Sequence, residues 1–133
     1  MTTEGRTETM TVVAPCEFLS ANQRLHWSKR AYLTKSWRHA AGWAARAARI
    51  YPFATQVDVT VTVHKARAGG RWDPHNLMPT VKAAVDGMVD AKVLRDDSRD
   101  YVRRVSIEAG EPRPRNAITL VITEVSADEV AAS

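Results

Sequence analysis

Alternation between apolar and polar residues marks the strands of this chain. The segment Gln56 to Lys65 reads QVDVTVTVHK, and its valines at 57, 59, 61 and 63 have the period of two that predicts a strand with one buried face. Other strands are predicted from Met10 to Ala14, where Pro15 ends the first one, from Tyr101 to Glu108, and from Ala117 to Val125.

Two other segments have the period of three to four residues that is typical of helices. The Ala-rich stretch from Ser28 to about Ile50 is well suited to a helix, which Pro52 ends. Its predicted apolar stripe is Leu33, Trp37, Ala41, Ala44 and Ala48. A second helix is predicted to be capped by Asn76 or Met78, with Pro79 in its first turn. Its predicted inner face is Leu77, Val81, Ala84, Val85 and Met88.

The resulting order β-α-β-α-β-β predicts an α+β fold in which two main helices cover a mixed sheet. A length of 133 residues with 44% hydrophobic residues suits one domain with a real core. We expect that domain to span residues 10–125. Residues 1–9 and 126–133 are polar or lack periodicity, so they are predicted to be flexible tails.

The amino-acid composition limits the compartment and the binding partners that we expect for this protein. The single cysteine, Cys16, excludes an internal disulfide, and no charged-then-apolar leader precedes it, so we expect a cytoplasmic protein. Lys or Arg interrupts every apolar stretch well before the roughly 18 residues that a membrane span needs. A net charge of +4 and a pI near 9.6 favour polyphosphate partners.

A cluster of acids interrupts this basic chain. Six of its fifteen acidic residues lie within one short window, at Asp73, Asp86, Asp90, Asp96, Asp97 and Asp100. Such a cluster would repel a polyanion unless a cation bridges the two. Mg²⁺ prefers carboxylate oxygens and needs few of them, so the pattern predicts metal-dependent work on nucleic acid.

Simpler explanations exist for four of these acids. Asp73 and Asn76 are common turn and capping residues ahead of a helix. Asp96 and Asp97 suit an exposed turn, and Lys82 with Asp86 forms an ordinary i,i+4 helix pair.

A basic segment precedes the acidic one. Between Phe18 and Val57 there are seven Lys or Arg residues and no acid, a pattern that favours contact with a phosphate backbone. Arg24, His26, Lys29 and Arg30 are predicted to bind DNA, with His26 and Trp27 able to stack on a base or sugar. The alternative is that these cations are the solvated face of the first helix while Trp27, Trp37 and Trp43 are core. For Trp37, which lies in the apolar stripe, we favour the core.

The motifs SANQRLHWSKR and RWDPHNLMPTVKAAVDGMVDAKVLRDDS, followed by a closing LVITEV strand, resemble the RusA-type Holliday-junction resolvases. The similarity runs from about Thr11 to Val125 and is most specific from residue 73 to residue 97. The pattern of that family is Asp-x-Asp-Asn, then Lys, then a helical Asp, then Asp-Asp. Its positions fall here on Asp73, Asn76, Lys82, Asp86, Asp96 and Asp97.

The resemblance implies a RusA-like fold and an Mg²⁺-dependent homodimer that nicks two strands of a four-way DNA junction symmetrically. A dimer with twofold symmetry offers two identical sites for two equivalent cleavage points. This chain departs from the family at His75, which replaces the second Asp and suits Mn²⁺ better than Mg²⁺. Lys82 also follows Asn76 by more residues than in the family.

Together these observations predict the site residues. Asp73, Asp97 and Lys82 are expected to be catalytic, and Asp73, Asp96, Asp97 and His75 to hold the metal. Asn76 and Asp86 are expected to support them, and Arg71 joins the predicted DNA contacts. Two alternatives stay open: a branched-DNA-binding protein with a weak or inactive metal site, and a basic domain that binds a protein partner.

Overall fold

Four strands form one mixed sheet: β1 (Thr7–Val13), β2 (Val57–His64), β3 (Val102–Ala109) and β4 (Ala117–Glu124). Their spatial order is β1-β4-β2-β3. Strand β4 pairs antiparallel with both β1 and β2, whereas β2 and β3 run parallel. The computed structural model from which these elements are taken describes residues 5–66 and 72–125.

Two α-helices complete the fold, α1 (Trp27–Ala47) and α2 (Met78–Asp90), and a 3₁₀ helix (Pro74–Leu77) leads directly into α2. Helix α2 connects the parallel strands β2 and β3, which cannot be joined by a tight turn. The predicted α+β class and the order β-α-β-α-β-β are therefore confirmed.

One hydrophobic core lies between the helices and one face of the sheet. All four valines of β2 are buried, as their alternation predicts, and Trp37 of α1 and Met88 of α2 are fully enclosed. Polar residues such as Thr9, Thr60 and Ser106 occupy the opposite face of the sheet and are partly or fully exposed. The domain therefore has two layers, with both helices on the same side of the sheet.

The first strand begins at Thr7 rather than at Met10. Thr7 to Thr9 pair with Thr123 to Val121 of β4, so they belong to the sheet and not to the predicted tail. These residues are polar because β1 is an edge strand with one face in solvent, which hides the strand signal. Residues 126–133, the other predicted tail, lie outside the described part of the chain.

Helix α1 ends at Ala47, before the predicted end near Ile50. Arg49 has a positive φ of 54°, and the Ile50 N–H bonds to the Ala45 carbonyl, which turns the chain back and buries Ile50. The apolar stripe consequently continues from Ala41 to Ala45, while Ala48 is exposed.

The start of α2 also differs from the prediction. Leu77 occupies its N-cap position without a side-chain cap, in place of Asn76 or Met78, and Pro79 lies in the first turn as predicted. A Cβ atom added to Gly87 of this helix would lie 2.2 Å from the carbonyl oxygen of Arg38 in α1. The two helices therefore touch through their backbones at this glycine. Neither helix in the described residues is long and apolar enough to span a membrane.

Candidate functional site

Three charged side chains meet where α2 approaches the turn that precedes β3. Lys82 and Asp86 stand one helical turn apart, and the Lys82 ammonium lies 3.5 Å from the Asp86 carboxylate. The same ammonium donates a short hydrogen bond to Asp97 Oδ2. The predicted i,i+4 pair is thus present, and a carboxylate from a separate segment joins it.

This ion cluster is open to solvent. The side chain of Lys82 is 64% exposed, and the side chains of Asp86 and Asp97 are 27% and 37% exposed. The hydrogen bond from Lys82, followed by one involving Asp96, lowers the pKa of Asp97. The hydrogen bond to Asp97 is in turn the main cause of a raised pKa at Lys82. Both groups are therefore charged at neutral pH.

The turn that carries Asp97 is fixed by its surroundings. Val93 and Leu94 are buried just before it, and the Val93 carbonyl accepts the Phe53 N–H at 2.9 Å. Asp96 uses its side chain to accept the Asp97 backbone N–H at 2.8 Å, as expected for Asp in a turn. Asp96 consequently shapes the loop, and Asp97 reaches the lysine.

Asp73 makes different contacts. Its carboxylate accepts the backbone N–H of His75 at 3.0 Å and lies 3.1 Å from the His75 ring, so it caps the 3₁₀ helix. The backbone hydrogen bond is the main cause of a lowered pKa at Asp73. The simpler explanation of Asp73 as a capping residue is therefore confirmed. Asn76 contacts the loop that follows β1, because its backbone carbonyl accepts the Ala21 N–H at 2.8 Å.

An open cavity of about 780 Å³ lies beside Asp73. It is bounded by the loop after β1, the end of β2, the 3₁₀ helix and the start of β4. Its lining residues are Glu17, Phe18, Ser20, Gln23, Lys65, Ala66, Trp72, Asp73, Asn76, Leu77 and Asn116. The Lys65 ammonium is 4.3 Å from the centroid of the Trp72 ring, a cation–π contact.

The predicted metal ligands Asp73, Asp96, Asp97 and His75 do not form one group in the described residues. Within residues 5–66 and 72–125, no three His, Cys, Asp or Glu side chains converge closely enough to hold an ion. Asp73 caps the 3₁₀ helix and Asp96 accepts a backbone N–H in its turn, and these are the simpler roles that the sequence offered for both residues. Asp86 and Asp97, however, converge on one ammonium group. Two carboxylates that share the Lys82 ammonium are a donor set of the kind that fits Mg²⁺, which is held by one or two carboxylates together with waters.

The predicted DNA-binding residues lie at the start of α1 and just before it. Arg24 is exposed, and Lys29 is paired with Glu17 at 3.1 Å. His26 is the N-cap of α1, because its ring accepts the Ser28 N–H. Arg30 is half-buried, and Arg71 lies outside the described residues.

Exposed aromatic rings on α1 resolve the alternatives for its tryptophans. Trp37 is fully buried, as predicted, whereas Trp27 and Trp43 are 76% and 71% exposed. The ring of Trp27 lies 5.5 Å from that of His26, and Trp27 lines an open groove with Arg30 and Lys35. The core explanation is therefore wrong for Trp27 and Trp43.

Sequence reasoning missed two features near the site. Arg38 of α1 binds Asp90 of α2 through two hydrogen bonds, which lower the pKa of Asp90, although 52 residues separate them. The cation–π pair of Lys65 and Trp72 was also missed. A Lys at the end of a strand and a Trp just before a predicted helix carry no signal that they meet.

Comparison of the chain with protein-family models and with curated protein sequences gives no match.

Proposed function

We propose that this protein is an Mg²⁺-dependent endonuclease that acts on branched DNA, with the cluster of Lys82, Asp86 and Asp97 at its active site. The observation that carries the proposal is the convergence of two carboxylates and an ammonium group on one exposed surface of a basic protein. Phosphodiester hydrolysis needs an activated water and positive charge near the phosphate, and this cluster has groups suited to both tasks.

Asp97, with Asp86 beside it, is the proposed principal metal ligand. Bound Mg²⁺ would supply a water of lowered pKa and charge stabilisation at the phosphate. An aspartate of ordinary pKa is already ionised at neutral pH, and the hydrogen bond from Lys82 lowers the pKa of Asp97 further, so its carboxylate is available to bind a cation. Asp96 positions Asp97 by accepting its backbone N–H.

Lys82 is proposed to contact the scissile phosphate. Its side chain is 64% exposed, so a phosphate oxygen can approach it from solvent. Like any lysine of ordinary pKa it is protonated at neutral pH, which suits stabilisation of charge that develops on the phosphate. With Asp86 and Asp97 bound to a metal ion, the flexible lysine side chain would be free to turn toward the phosphate.

Asp73, which lines the cavity described above, and His75 beside it are proposed to bind or orient the substrate. Asp73 also stays a candidate second ligand for a metal ion, as the resemblance to RusA-type resolvases implies. Mn²⁺ is the more suitable ion if the His75 ring takes part.

Contact with the DNA backbone is assigned to the start of α1. Arg24 and Lys29 are exposed there, close to His26 and the exposed Trp27 ring. Cations beside an exposed aromatic ring suit a phosphate backbone with an unstacked base or sugar.

A four-way junction is the proposed substrate and a homodimer the proposed form, both inferred from the resemblance of residues 73–97 to RusA-type resolvases. Two identical sites related by twofold symmetry would produce paired nicks. The proposed compartment is the cytoplasm, where chromosomal or phage DNA is accessible.

A nicking assay on a synthetic four-way junction tests the proposal. With Mg²⁺ or Mn²⁺, the protein should introduce symmetric nicks, and linear duplex of the same sequence should be cut far more slowly. If it binds the junction but never nicks it with either ion, the endonuclease proposal is wrong.

Binding of branched DNA without cleavage is a second candidate function. It is favoured by the Lys82 ammonium, which neutralises the Asp97 carboxylate, and by His75 in place of a carboxylate. Junction binding that weakens steeply with salt, without nicking, would support it. Absence of salt-dependent DNA binding would leave the third alternative, a basic domain that binds a protein partner.

A further inference from the structure

The cavity beside Asp73 has the size of a ligand-binding pocket. Its volume of about 780 Å³ falls within the roughly 300–1,000 Å³ of small-molecule pockets. It is formed by four separate segments that are held together by hydrogen bonds. Thr80, which is buried in α2, both donates to the Leu19 carbonyl and accepts the Leu19 N–H at 2.8 Å, which holds the loop after β1 in place.

Two aromatic side chains, Phe18 and Trp72, line this cavity. Phe18 is stacked on the fully buried Trp37 ring, with centroids 5.5 Å apart and planes inclined by 14°, so its orientation is fixed by the core. Trp72 is half-buried and is held by the Lys65 ammonium at 4.3 Å. Fixed aromatic surfaces of this kind favour a flat ring as ligand.

Amide groups provide polar contacts at the same cavity. Asn116 accepts the Ala66 N–H through its side-chain oxygen at 2.8 Å, which fixes the amide and makes its NH₂ group the donor end. Asn76 also lines the cavity, and its backbone is fixed by the Ala21 N–H. Amides carry both donors and acceptors, and therefore match the edge of a heterocyclic base.

The charge balance of the lining disfavours an anion. Glu17, which is paired with Lys29, and Asp73 contribute two carboxylates, whereas Lys65 contributes one cation, so the Asp73 carboxylate would repel a phosphate group placed beside it. A neutral ring with a polar edge meets no such repulsion. The phosphate of the same nucleotide would remain outside, toward the basic segment of the chain.

We infer that this cavity receives one unstacked nucleobase of the DNA substrate, stacked against Trp72 and contacted by Asn76 or Asn116. The inference rests on the proposed function, because it assigns to the endonuclease a base-reading subsite next to Asp73. Bases at a junction crossover or next to a nick unstack at lower cost than bases within a duplex. A base held there would make cleavage depend on the nucleotide beside the crossover.

The test compares junction affinity with and without a base at the crossover. Binding of the full chain is measured with Ca²⁺ in place of Mg²⁺, using an intact four-way junction and junctions with one abasic residue at each position flanking the crossover. Stacking of one base is worth about 1–3 kcal/mol, so at least one abasic position should weaken binding roughly 5-fold to 150-fold. A 2-aminopurine at that position should change its fluorescence on binding.

Three variants assign the effect to the cavity. Trp72→Ala should bind intact and abasic junctions equally, Trp72→Phe should keep most of the discrimination, and Trp43→Ala, which removes an exposed ring on α1, should keep all of it. Loss of discrimination in Trp43→Ala but not in Trp72→Ala would overturn the assignment. The wild-type comparison needs no variant, so a misfolded Trp72→Ala does not weaken the test.

Failure of this inference can be told from failure of the endonuclease proposal. If the wild type binds the junction tightly but tolerates every abasic position equally, the base subsite is wrong and the endonuclease proposal stands. If it binds no junction in a salt-dependent way, both are wrong. If free 2-aminopurine riboside binds as strongly as the labelled junction, the cavity is a site for free nucleosides and the inference is overturned.

Discussion

Replacement of Gly87 by Ala should destabilise this protein, although the same change in an ordinary helix is stabilising. In the interior of a helix, Ala is favoured over Gly by about 1 kcal/mol. At Gly87, however, a Cβ atom would lie 2.2 Å from the Arg38 carbonyl oxygen and 3.0 Å from the Ala41 Cβ. Ordinary contacts begin near 3.4 Å, so α1 and α2 would have to separate by about 1.2 Å at this point.

Such overpacking usually costs about 1–3 kcal/mol and sometimes more. A backbone oxygen cannot move aside as a side chain can, so the upper part of that range applies. After the gain in helix propensity is subtracted, we expect a net loss of about 2 kcal/mol in the free energy of unfolding. For a domain of this size, that loss corresponds to a decrease of roughly 6–10 °C in Tm.

Urea and thermal unfolding followed by far-UV circular dichroism measure this effect. Gly42→Ala is the matched control, because its Cβ would lie 3.3 Å from the Gly87 carbonyl oxygen, which is only slightly tight. We expect Gly42→Ala to change the free energy of unfolding by less than about 0.5 kcal/mol, since the helix gain offsets the contact. A Gly87→Ala protein as stable as the wild type, or more stable, would refute the close helix contact.

Three further changes test other parts of the account. Thr80→Val should lower the free energy of unfolding by about 2–4 kcal/mol in urea denaturation, because the backbone N–H and carbonyl of Leu19 lose their buried partner. Thr60→Val, on the open face of the sheet, is the control, and an equally small loss in Thr80→Val would contradict this role. Asp90→Asn should cost at most about 1 kcal/mol at neutral pH, since the pair with Arg38 is half-exposed. Arg38 lowers the pKa of Asp90 below its ordinary value of 3.8, so the stabilisation by this pair is fully present above that pH and is lost as pH falls through the lowered pKa. A stability difference between Asp90→Asn and the wild type that persists in stronger acid would argue against the pair. Lys82→Met should raise the pKa of Asp97 toward its ordinary value, because the hydrogen bond that lowers it is gone; an unchanged carboxylate titration by NMR would show that the ion pair does not form in solution.

The local pattern of apolar and polar residues predicted the helices and strands of the fold well. The alternation in β2 and the apolar stripe of α2 are each explained by burial against one neighbouring layer, and both were predicted correctly. Edge strand β1 was placed too late in the chain because its exposed face is polar. The end of α1 was placed too far along because the backbone turns at Arg49, where no Gly or Pro marks it.

Contacts between distant segments could not be predicted in the same way. Lys82 and Asp86 were expected to share a helix face because helix geometry fixes that spacing, whereas the contact of Lys82 with Asp97 depends on how the turn after α2 is anchored. Asp73 was expected to meet Asp97, but its carboxylate has a nearer partner in the backbone N–H of His75. Local hydrogen bonds of Asp compete with long-range ones, and the sequence does not indicate which is formed.

Nicking of a four-way junction by the wild type, by Asp97→Asn and by Asp100→Asn tests the central claim most directly. Asp100 is an exposed aspartate in the same loop region and serves as the control for a lost surface charge. In single-turnover reactions with Mg²⁺, we expect Asp97→Asn to lose nicking while it keeps or gains junction affinity, and Asp100→Asn to behave as the wild type. An Asp97→Asn protein that nicks the junction as fast as the wild type would contradict the assignment of the active site to the cluster of Lys82, Asp86 and Asp97.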